Sequence, residues 1–295
     1  MTDDVGYAVA AARRLRPDFE RADLLQHTGK TIVIGGSTAG RPAVVKVLLG
    51  GDPFWRDKFV NEIAVCRAFA RQTPPVAVAR LVDADEQAGV LIVERLAGRP
   101  LAVDRYPAGP LPAGVITAVV DAVATLADWQ PPAPLPRWWD YKERLDRYRG
   151  YGLLDDDDHH ALAVLLDMTG LRRCFAHGDV LPGNIRLLAE PASPDRVALL
   201  DWEFAGTYLP GLDLALLWVL LGATPPARHV IMSRLAAADP PTRAAFTINQ
   251  AMVLTRELRI HREADPGPWR DQRLAALTCD WAAFRTDILH PTGRP

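Results

Sequence analysis

The residues best suited to chemistry lie in two nearby runs, His177-Gly178-Asp179-Val180-Leu181-Pro182-Gly183-Asn184 and Leu199-Leu200-Asp201-Trp202-Glu203. Asn184 and Asp201 offer hard oxygen ligands of the kind magnesium takes, and magnesium in turn offsets the charge of a polyphosphate. Asp179, a carboxylate five positions before Asn184, is suited to orient a hydroxyl and accept its proton. The set has the layout of a phosphoryl-transfer site. Ile185 to Leu188 and Val197 to Leu200 are apolar runs joined by the Pro-containing stretch Ala189 to Arg196, which reads as a hairpin that returns Asp201 beside Asn184. Taken singly, His-Gly-Asp reads equally well as a turn and Asp201 as a strand-end carboxylate. The ordered set favours chemistry.

The same spacing resembles the catalytic and metal loops of protein kinases. That resemblance implies that His177 braces the loop, that Asp179 acts on the acceptor hydroxyl, and that Asn184 and Asp201 hold magnesium. It also demands a strand lysine upstream, paired with a glutamate from the next helix, to clamp the nucleotide phosphates. Ala43-Val44-Val45-Lys46-Val47-Leu48-Leu49 is an apolar, β-branched run broken only by Lys46, and a charge in such a strand must face a partner. Phe54 to Ala70 has helical periodicity with Phe59, Ile63 and Cys66 on one face and Glu62 near it. An edge-strand lysine and a solvated glutamate are the ordinary alternatives. Only Lys30, Lys46, Lys58 and Lys142 occur among many arginines, so a mid-strand lysine is poorly explained as surface filler.

Asp23 to Gln26 and Thr31 to Ile34 read as strands around His27-Thr28-Gly29-Lys30, and Gly35 to Arg41 reads as a second turn before the Lys46 strand. The first turn is the place for a small-residue loop over phosphates, through Thr28, Gly29 and Lys30. It is not a Walker loop, because Leu24 stands where that motif needs glycine. Gly35, Gly36 and Gly40 read as hairpin glycines needing positive φ. Arg80 to Asp83 and Gly89 to Val93 add two strands, for five in all, followed by Glu94-Arg95-Leu96-Ala97-Gly98. In a kinase this linker is the hinge whose backbone at Glu94 to Leu96 holds the purine. Otherwise it is a strand-to-helix loop.

From Leu24 to about Leu220 the chain resembles the aminoglycoside phosphotransferase and choline kinase-like superfamily of small-molecule kinases. The resemblance is carried by Lys46, Glu62, the 94–98 linker, His177 to Asn184 with Pro-Gly before the asparagine, and Leu200-Asp201-Trp202-Glu203-Phe204-Ala205-Gly206 in place of Asp-Phe-Gly. It implies an α+β, bilobal protein-kinase-like fold. Residues 1–93 would form a nucleotide-binding lobe with an antiparallel five-stranded sheet and a helix, 94–98 the hinge, and 99–295 a mainly helical lobe with the catalytic loop and acceptor site. It implies magnesium, ATP or GTP as donor, and a small-molecule acceptor. Asp213 is similar to the family's structural aspartate at a helix start. The chain departs from protein kinases in having no Ala-Pro-Glu and no long segment between Asp201 and Asp213, which leaves little room for a peptide platform.

The remaining features set bounds. The 295 residues suffice for two lobes, and the net charge of -2 gives no electrostatic case for nucleic acid. Cys66, Cys174 and Cys279 are too few and scattered for a disulfide framework or zinc site, so a cytoplasmic protein is expected. Early charges lead us to expect no signal peptide, and the most apolar run, Leu214 to Leu221, is too short for a membrane span. Leu111 to Trp129, Asp156 to Thr169, Leu212 to Leu221, Arg228 to Ala238, Thr242 to Arg262 and Pro268 to Leu289 read as helices.

Acceptor candidates, from the way the family uses acidic and aromatic residues, are Glu203, Asp155, Trp269 and Trp281, with Trp138, Trp139 and Tyr141 as further aromatics. Asp155 also suits a helix N-terminus, and the aromatics also suit core packing. The expected function is transfer of a γ-phosphoryl group to a hydroxyl of an aminoglycoside-type or other hydroxylated antibiotic. The alternatives are a kinase for choline, a sugar or an amino alcohol, or a nucleotide-binding scaffold without turnover. Oligomeric state and the choice between ATP and GTP stay open.

Overall fold

The computed structural model describes residues 2–170, 172–188 and 197–290. In chain order the elements begin α1 (Thr2–Leu15), β1 (Glu20–His27), β2 (Thr31–Thr38), β3 (Arg41–Leu48), α2 (Pro53–Arg71), β4 (Ala77–Val78), β5 (Leu81–Asp85), β6 (Val90–Glu94) and β7 (Arg99–Pro100). There follow α3 (Ala113–Ala127), α4 (Tyr141–Gly150), α5 (Asp156–Met168), β8 (Cys174–Ala176), β9 (Ile185–Leu187) and β10 (Val197–Leu199). The last are β11 (Gly206–Tyr208), α6 (Leu212–Leu220), α7 (Pro225–Ala236), α8 (Pro240–Glu263) and α9 (Pro268–Leu289). No helix among the described residues is long and apolar enough to cross a membrane.

These elements gather into two compact units. One holds Met1–Arg105, Trp129–Leu135 and His177–Gly206, and the other Tyr106–Asp128, Pro136–Ala176 and Thr207–Pro295. The first unit carries the expected antiparallel five-stranded sheet, in the order β1-β2-β3-β6-β5. Its two faces follow from the period of the strands. Ile32, Ile34, Val45, Val47 and Ile92 point to one side and pack with Phe19 and with Ala8, Ala11 and Ala12 of α1. Leu48 and Leu91 point to the other and pack with Phe59, Ile63 and Cys66 of α2. Lys46, between Val45 and Val47, is therefore delivered to the α2 side.

α1 was not expected. Its contact stripe is alanine at helical spacing, a weak hydrophobic signal beside the arginines that follow. The second turn also differs from expectation. β2 runs on to Thr38, and only Ala39 and Gly40, with φ of 49° and 70°, form the reversal. Gly35 and Gly36 lie within the strand without positive φ. A Cβ on Gly35 would sit 2.1 Å from Asp23 Oδ1, and one on Gly36 would sit 2.2 Å from the Glu20 carbonyl, so close approach is what these two positions demand.

A second, four-stranded sheet in the same unit, ordered β4-β10-β9-β7, carries the chemical loops. β9 and β10 pair antiparallel with Leu199 opposite Ile185, as the hairpin reading required, while β4 pairs parallel to β10. The connection Ala189 to Arg196 lies outside the described residues. The 94–98 linker leads into β7 beside β9, where Gly98, at φ 102°, would put a Cβ 2.1 Å from the Leu187 carbonyl oxygen. Arg186 Nη1 donates to the Gly98 carbonyl at 2.6 Å and fixes this approach.

The second unit is mainly helical. α6 is buried on nearly every side, as its continuous apolar sequence requires, and packs with α8. Within it Tyr141 Oη donates to Asn249 Oδ1 at 2.7 Å, and Asn249 Nδ2 donates to the carbonyls of Leu209 and Pro210 at 3.1 and 3.0 Å. This buried polar junction sets the approach to α6, where Asp213 occupies the first turn. α4 was also unexpected, because charged residues separate its buried positions Tyr141, Leu145 and Tyr148.

Candidate active site

The β9–β10 hairpin and the loop before it hold His177, Asp179, Asn184 and Asp201 in one local structure. Pro182–Asn184 forms a short 3-10 turn after Asp179, and Asn184 Nδ2 donates to the Asp179 carbonyl at 3.0 Å. That bond commits the amide nitrogen, so the ligand atom Asn184 offers is its carbonyl oxygen. His177 Nε2 lies 2.8 Å from the Leu200 carbonyl and Nδ1 receives the Asp179 backbone N–H at 3.3 Å, an arrangement that requires the proton on Nε2. His177 thus ties the Asp179 backbone to the residue preceding Asp201. Its ring packs 4.5 Å from Trp202, which packs in turn against Phe69 of α2.

Asp201 stands at the head of the 3-10 turn Trp202–Phe204 with φ 64° and ψ 70°, a left-handed conformation uncommon outside glycine and tolerated by aspartate and asparagine. Lys46 Nζ lies 2.6 Å from Asp201 Oδ1, 2.7 Å from Glu62 Oε2 and 3.1 Å from Glu203 Oε2. One buried ammonium therefore gathers three carboxylates. Burial disfavours the charge on Lys46, but Asp201, Glu62 and Glu203 outweigh it and hold the lysine well above its ordinary range. Burial likewise works against ionised Asp201, and Lys46 prevails there too, lowering that carboxyl.

Glu62 goes the other way. Burial outweighs the attraction of Lys46 and pushes its carboxyl up to about 7. A carboxyl raised in the folded state binds a proton that the unfolded chain has released. Its stabilising contribution is complete below the ordinary glutamate range and is lost as pH rises through about 7. Thermal unfolding across this window is expected to show the wild-type midpoint falling with pH, and Glu62→Gln to flatten that slope. An unchanged slope in the variant would assign the dependence elsewhere.

Glu62, Asp201 and Glu203 each bring a carboxylate oxygen to within 4.8 Å of the others. With the Asn184 carbonyl on the neighbouring turn, the donors are all hard oxygens, a set that fits magnesium and not a soft metal.

The other expected residues divide into two groups. Thr28 and Gly29 form the β1–β2 turn, closed by Thr28 N–H donating to the Thr31 carbonyl at 2.9 Å. Glu94 ends β6, its N–H donating to the Arg80 carbonyl at 2.8 Å, with Leu96 two residues on in the linker. Glu203 takes Lys30 as well as Lys46. These belong to the same unit as the hairpin.

Asp155, Trp269 and Trp281 belong to the other unit and have local partners. Asp155 caps α5, accepting from the Asp158 N–H at 2.9 Å in a capping box, and pairs with Arg285. That backbone bond, and then Arg285, hold its carboxyl below the usual range. Trp281 stacks on Phe284 at 5.4 Å, and Trp269, 58% exposed, lies 6.0 Å from Tyr106 and 5.7 Å from His261. The two tryptophans stand about 18 Å apart along α9, so they are not two walls of one cage. Trp139 is already covered by the Arg144 guanidinium, 4.2 Å from its ring centroid.

Asn61 escaped the sequence reading. It is buried beside Glu62, and its Nδ2 donates to the carbonyls of Glu203 and Ala205 at 3.2 and 2.9 Å, fastening the turn that follows Asp201 to α2. The available signal was an amide on the apolar face of a helix, which needs a partner when buried. Asn61→Ala is expected to lower stability by about 1–3 kcal/mol, the cost of a buried carbonyl left unmatched, measured by urea unfolding. A loss of a few tenths would mean that the turn holds without this amide.

A family model described as "Phosphotransferase enzyme family" matches residues 33–247, spanning the Lys46 strand, the run His177 to Asn184 and α6. The chain belongs to the phosphotransferase enzyme family. Among sequence relatives, the chain is 41% identical over 64 residues to a choline/ethanolamine kinase of Rattus norvegicus and 40% identical over 58 residues to one of Mus musculus. These matches span 22% and 20% of the chain, but only 16% and 15% of the relatives.

Solved structures extend the likeness of fold over nearly the whole chain. The GDP complex of aminoglycoside 2'-phosphotransferase-IIIa superposes with a TM-score of 0.60 at 16% identity, covering 95% of this chain and 98% of that one. A thermostable mutant of aminoglycoside phosphotransferase APH(4)-Ia, in a ternary complex with ADP and hygromycin B, gives 0.54 at 18% identity, covering 90% and 95%.

Proposed function

We propose that this phosphotransferase moves the γ-phosphoryl group of ATP or GTP to a hydroxyl of a small molecule with magnesium as cofactor, and that the acceptor is an aminoglycoside-type or other hydroxylated antibiotic. The observation that carries the reading is the junction of Lys46 with Glu62 and Asp201, beside a hairpin that also holds Asp179 and Asn184. Lys46, positioned by Glu62, binds the donor phosphates, with the Thr28-Gly29 turn over them and the backbone at Glu94 and Leu96 meeting the purine from a hinge at 94–98. Asn184 and Asp201 would hold magnesium, which supplies charge neutralisation at the triphosphate.

Asp179 orients the acceptor hydroxyl and takes its proton as the oxygen bonds to the γ-phosphorus and the bond to the β,γ-bridging oxygen breaks, releasing the nucleoside diphosphate. His177 acts through the backbone, keeping the Asp179 loop and the Asp201 turn in register. Support for an antibiotic acceptor comes from structural neighbours whose names state aminoglycoside substrates. The short match to choline/ethanolamine kinases favours a second reading, phosphorylation of an amino alcohol.

The test is mass spectrometry of the protein incubated with magnesium, ATP or GTP, and a pooled panel of aminoglycosides, other hydroxylated antibiotics, amino alcohols and sugars. A product heavier by one phosphoryl group, absent with Asp179→Asn, identifies the acceptor class. Nucleotide binding without any product would turn the reading towards a scaffold.

A further inference from the structure

Lys30 lies in the β1–β2 turn, and the backbone there fixes where its side chain starts. Thr28 Oγ1 accepts the N–H groups of Lys30 and Thr31 at 3.3 and 3.1 Å, while the Lys30 carbonyl accepts from the Leu49 N–H at 2.7 Å. From this closed turn the side chain crosses the Trp55 ring, with Nζ 3.8 Å from its centroid, and ends 2.7 Å from Glu203 Oε1. The other oxygen of the same carboxylate lies 3.1 Å from Lys46 Nζ. Glu203 is thus the bridge between the strand lysine and a lysine carried in on a hairpin tip. Trp55 continues the seat, edge-on to Phe204 at 6.4 Å.

The two lysines are not equivalent. Lys46 is enclosed at 13% side-chain exposure, whereas Lys30 reaches solvent at 31%, and Glu203 between them is nearly covered at 6%. A Cβ on the adjacent Gly29 would meet nothing within 4 Å, so the tip beside Lys30 is open to approach. The charges also leave an imbalance. Once Glu62 is ionised, Glu62, Asp201 and Glu203 present three carboxylates to the two ammonium groups of Lys30 and Lys46. A divalent cation on this oxygen set would displace the Glu62 proton and leave the cluster positive, so that it attracts a polyphosphate and no longer holds its more exposed lysine as strongly.

We infer that Lys30 is a second phosphate-binding lysine, which leaves Glu203 for an oxygen of the donor's β- or γ-phosphate while the turn that carries it closes over the nucleotide. Glu203 is its resting partner and the Trp55 face guides its stem. The inference rests on the phosphotransferase reading above. It makes the donor's outer phosphates, rather than its base or α-phosphate, the part that Lys30 recognises.

Calorimetric binding of magnesium ATP and GTP, and of AMP and GMP, to the full chain and to Lys30→Met and Lys30→Arg separates the possibilities. Emission of Trp55, taken as the difference between wild type and Trp55→Phe, supplies a second readout. Lys30→Met is expected to weaken triphosphate binding about 10- to 100-fold, the range for one charge-assisted bond, and to leave monophosphate binding unchanged. Lys30→Arg is expected to recover most of the loss. Triphosphate is expected to change the Trp55 signal in the wild type and not in Lys30→Met.

Unchanged triphosphate affinity in Lys30→Met overturns the inference and leaves the phosphotransferase reading intact. Equal weakening of tri- and monophosphates also overturns it, because that pattern reports a distorted hairpin. A wild-type chain that binds no nucleotide at all sinks both.

Discussion

Asp179→Asn is expected to lower turnover by about 10²- to 10⁴-fold, the range for a positioned acid-base group, with nucleotide affinity close to wild type. The reason for the separation is local. Asp179 is held through its backbone, whose N–H meets His177 and whose carbonyl meets Asn184, so exchanging the side-chain oxygen for an amide leaves both anchors in place. The Lys46 cluster does not include Asp179, and the donor would still be bound. Steady-state kinetics beside nucleotide binding make the comparison. Retention of near-normal acceptor phosphorylation by the folded variant would remove Asp179 from the centre of the mechanism.

Asp201→Asn is expected to act on binding and chemistry together, lowering kcat/KM by about 10²- to 10³-fold, as for the loss of a principal electrostatic contact in a water-poor site. Asparagine suits this test because it tolerates the left-handed backbone that Asp201 adopts, so the variant removes charge with little added strain. It also removes the carboxylate 2.6 Å from Lys46, leaving Glu62 and Glu203 to hold the lysine. Magnesium titration at fixed nucleotide should shift to higher metal concentration. A fall in kcat with unchanged metal and nucleotide dependence would mean that Asp201 serves only the chemical step.

Much of this arrangement was legible because the necessary residues stand out against apolar strands. Lys46 is a charge inside a β-branched run, and Asn184 and Asp201 flank a hairpin whose two arms are themselves readable. The pairing of Lys46 with Glu62 could be anticipated from a strand and a helix in succession. Glu203 was harder, because nothing local shows which cations will reach a carboxylate after a metal-side turn. Only folding brings Lys30 to it from a hairpin far upstream.

The same limit explains Asn61, whose partners are backbone carbonyls with no identity in the sequence. α1 and α4 were missed for a different reason. Small alanines in one and intervening charges in the other blur the hydrophobic period, and tertiary packing supplies what the local pattern lacks.

The parallel pairing of β4 with β10 joins Ala77 to Ala198, residues from distant parts of the chain, the latter in the strand that leads to Asp201. Such a pairing incurs its loop-closure entropy before any contact returns it. The five-stranded sheet is built from local hairpins and one helical crossover, with Lys46 opposite Leu91, so the loops it must close are shorter. Loop closure therefore favours the lysine strand taking shape before the strand that leads to Asp201.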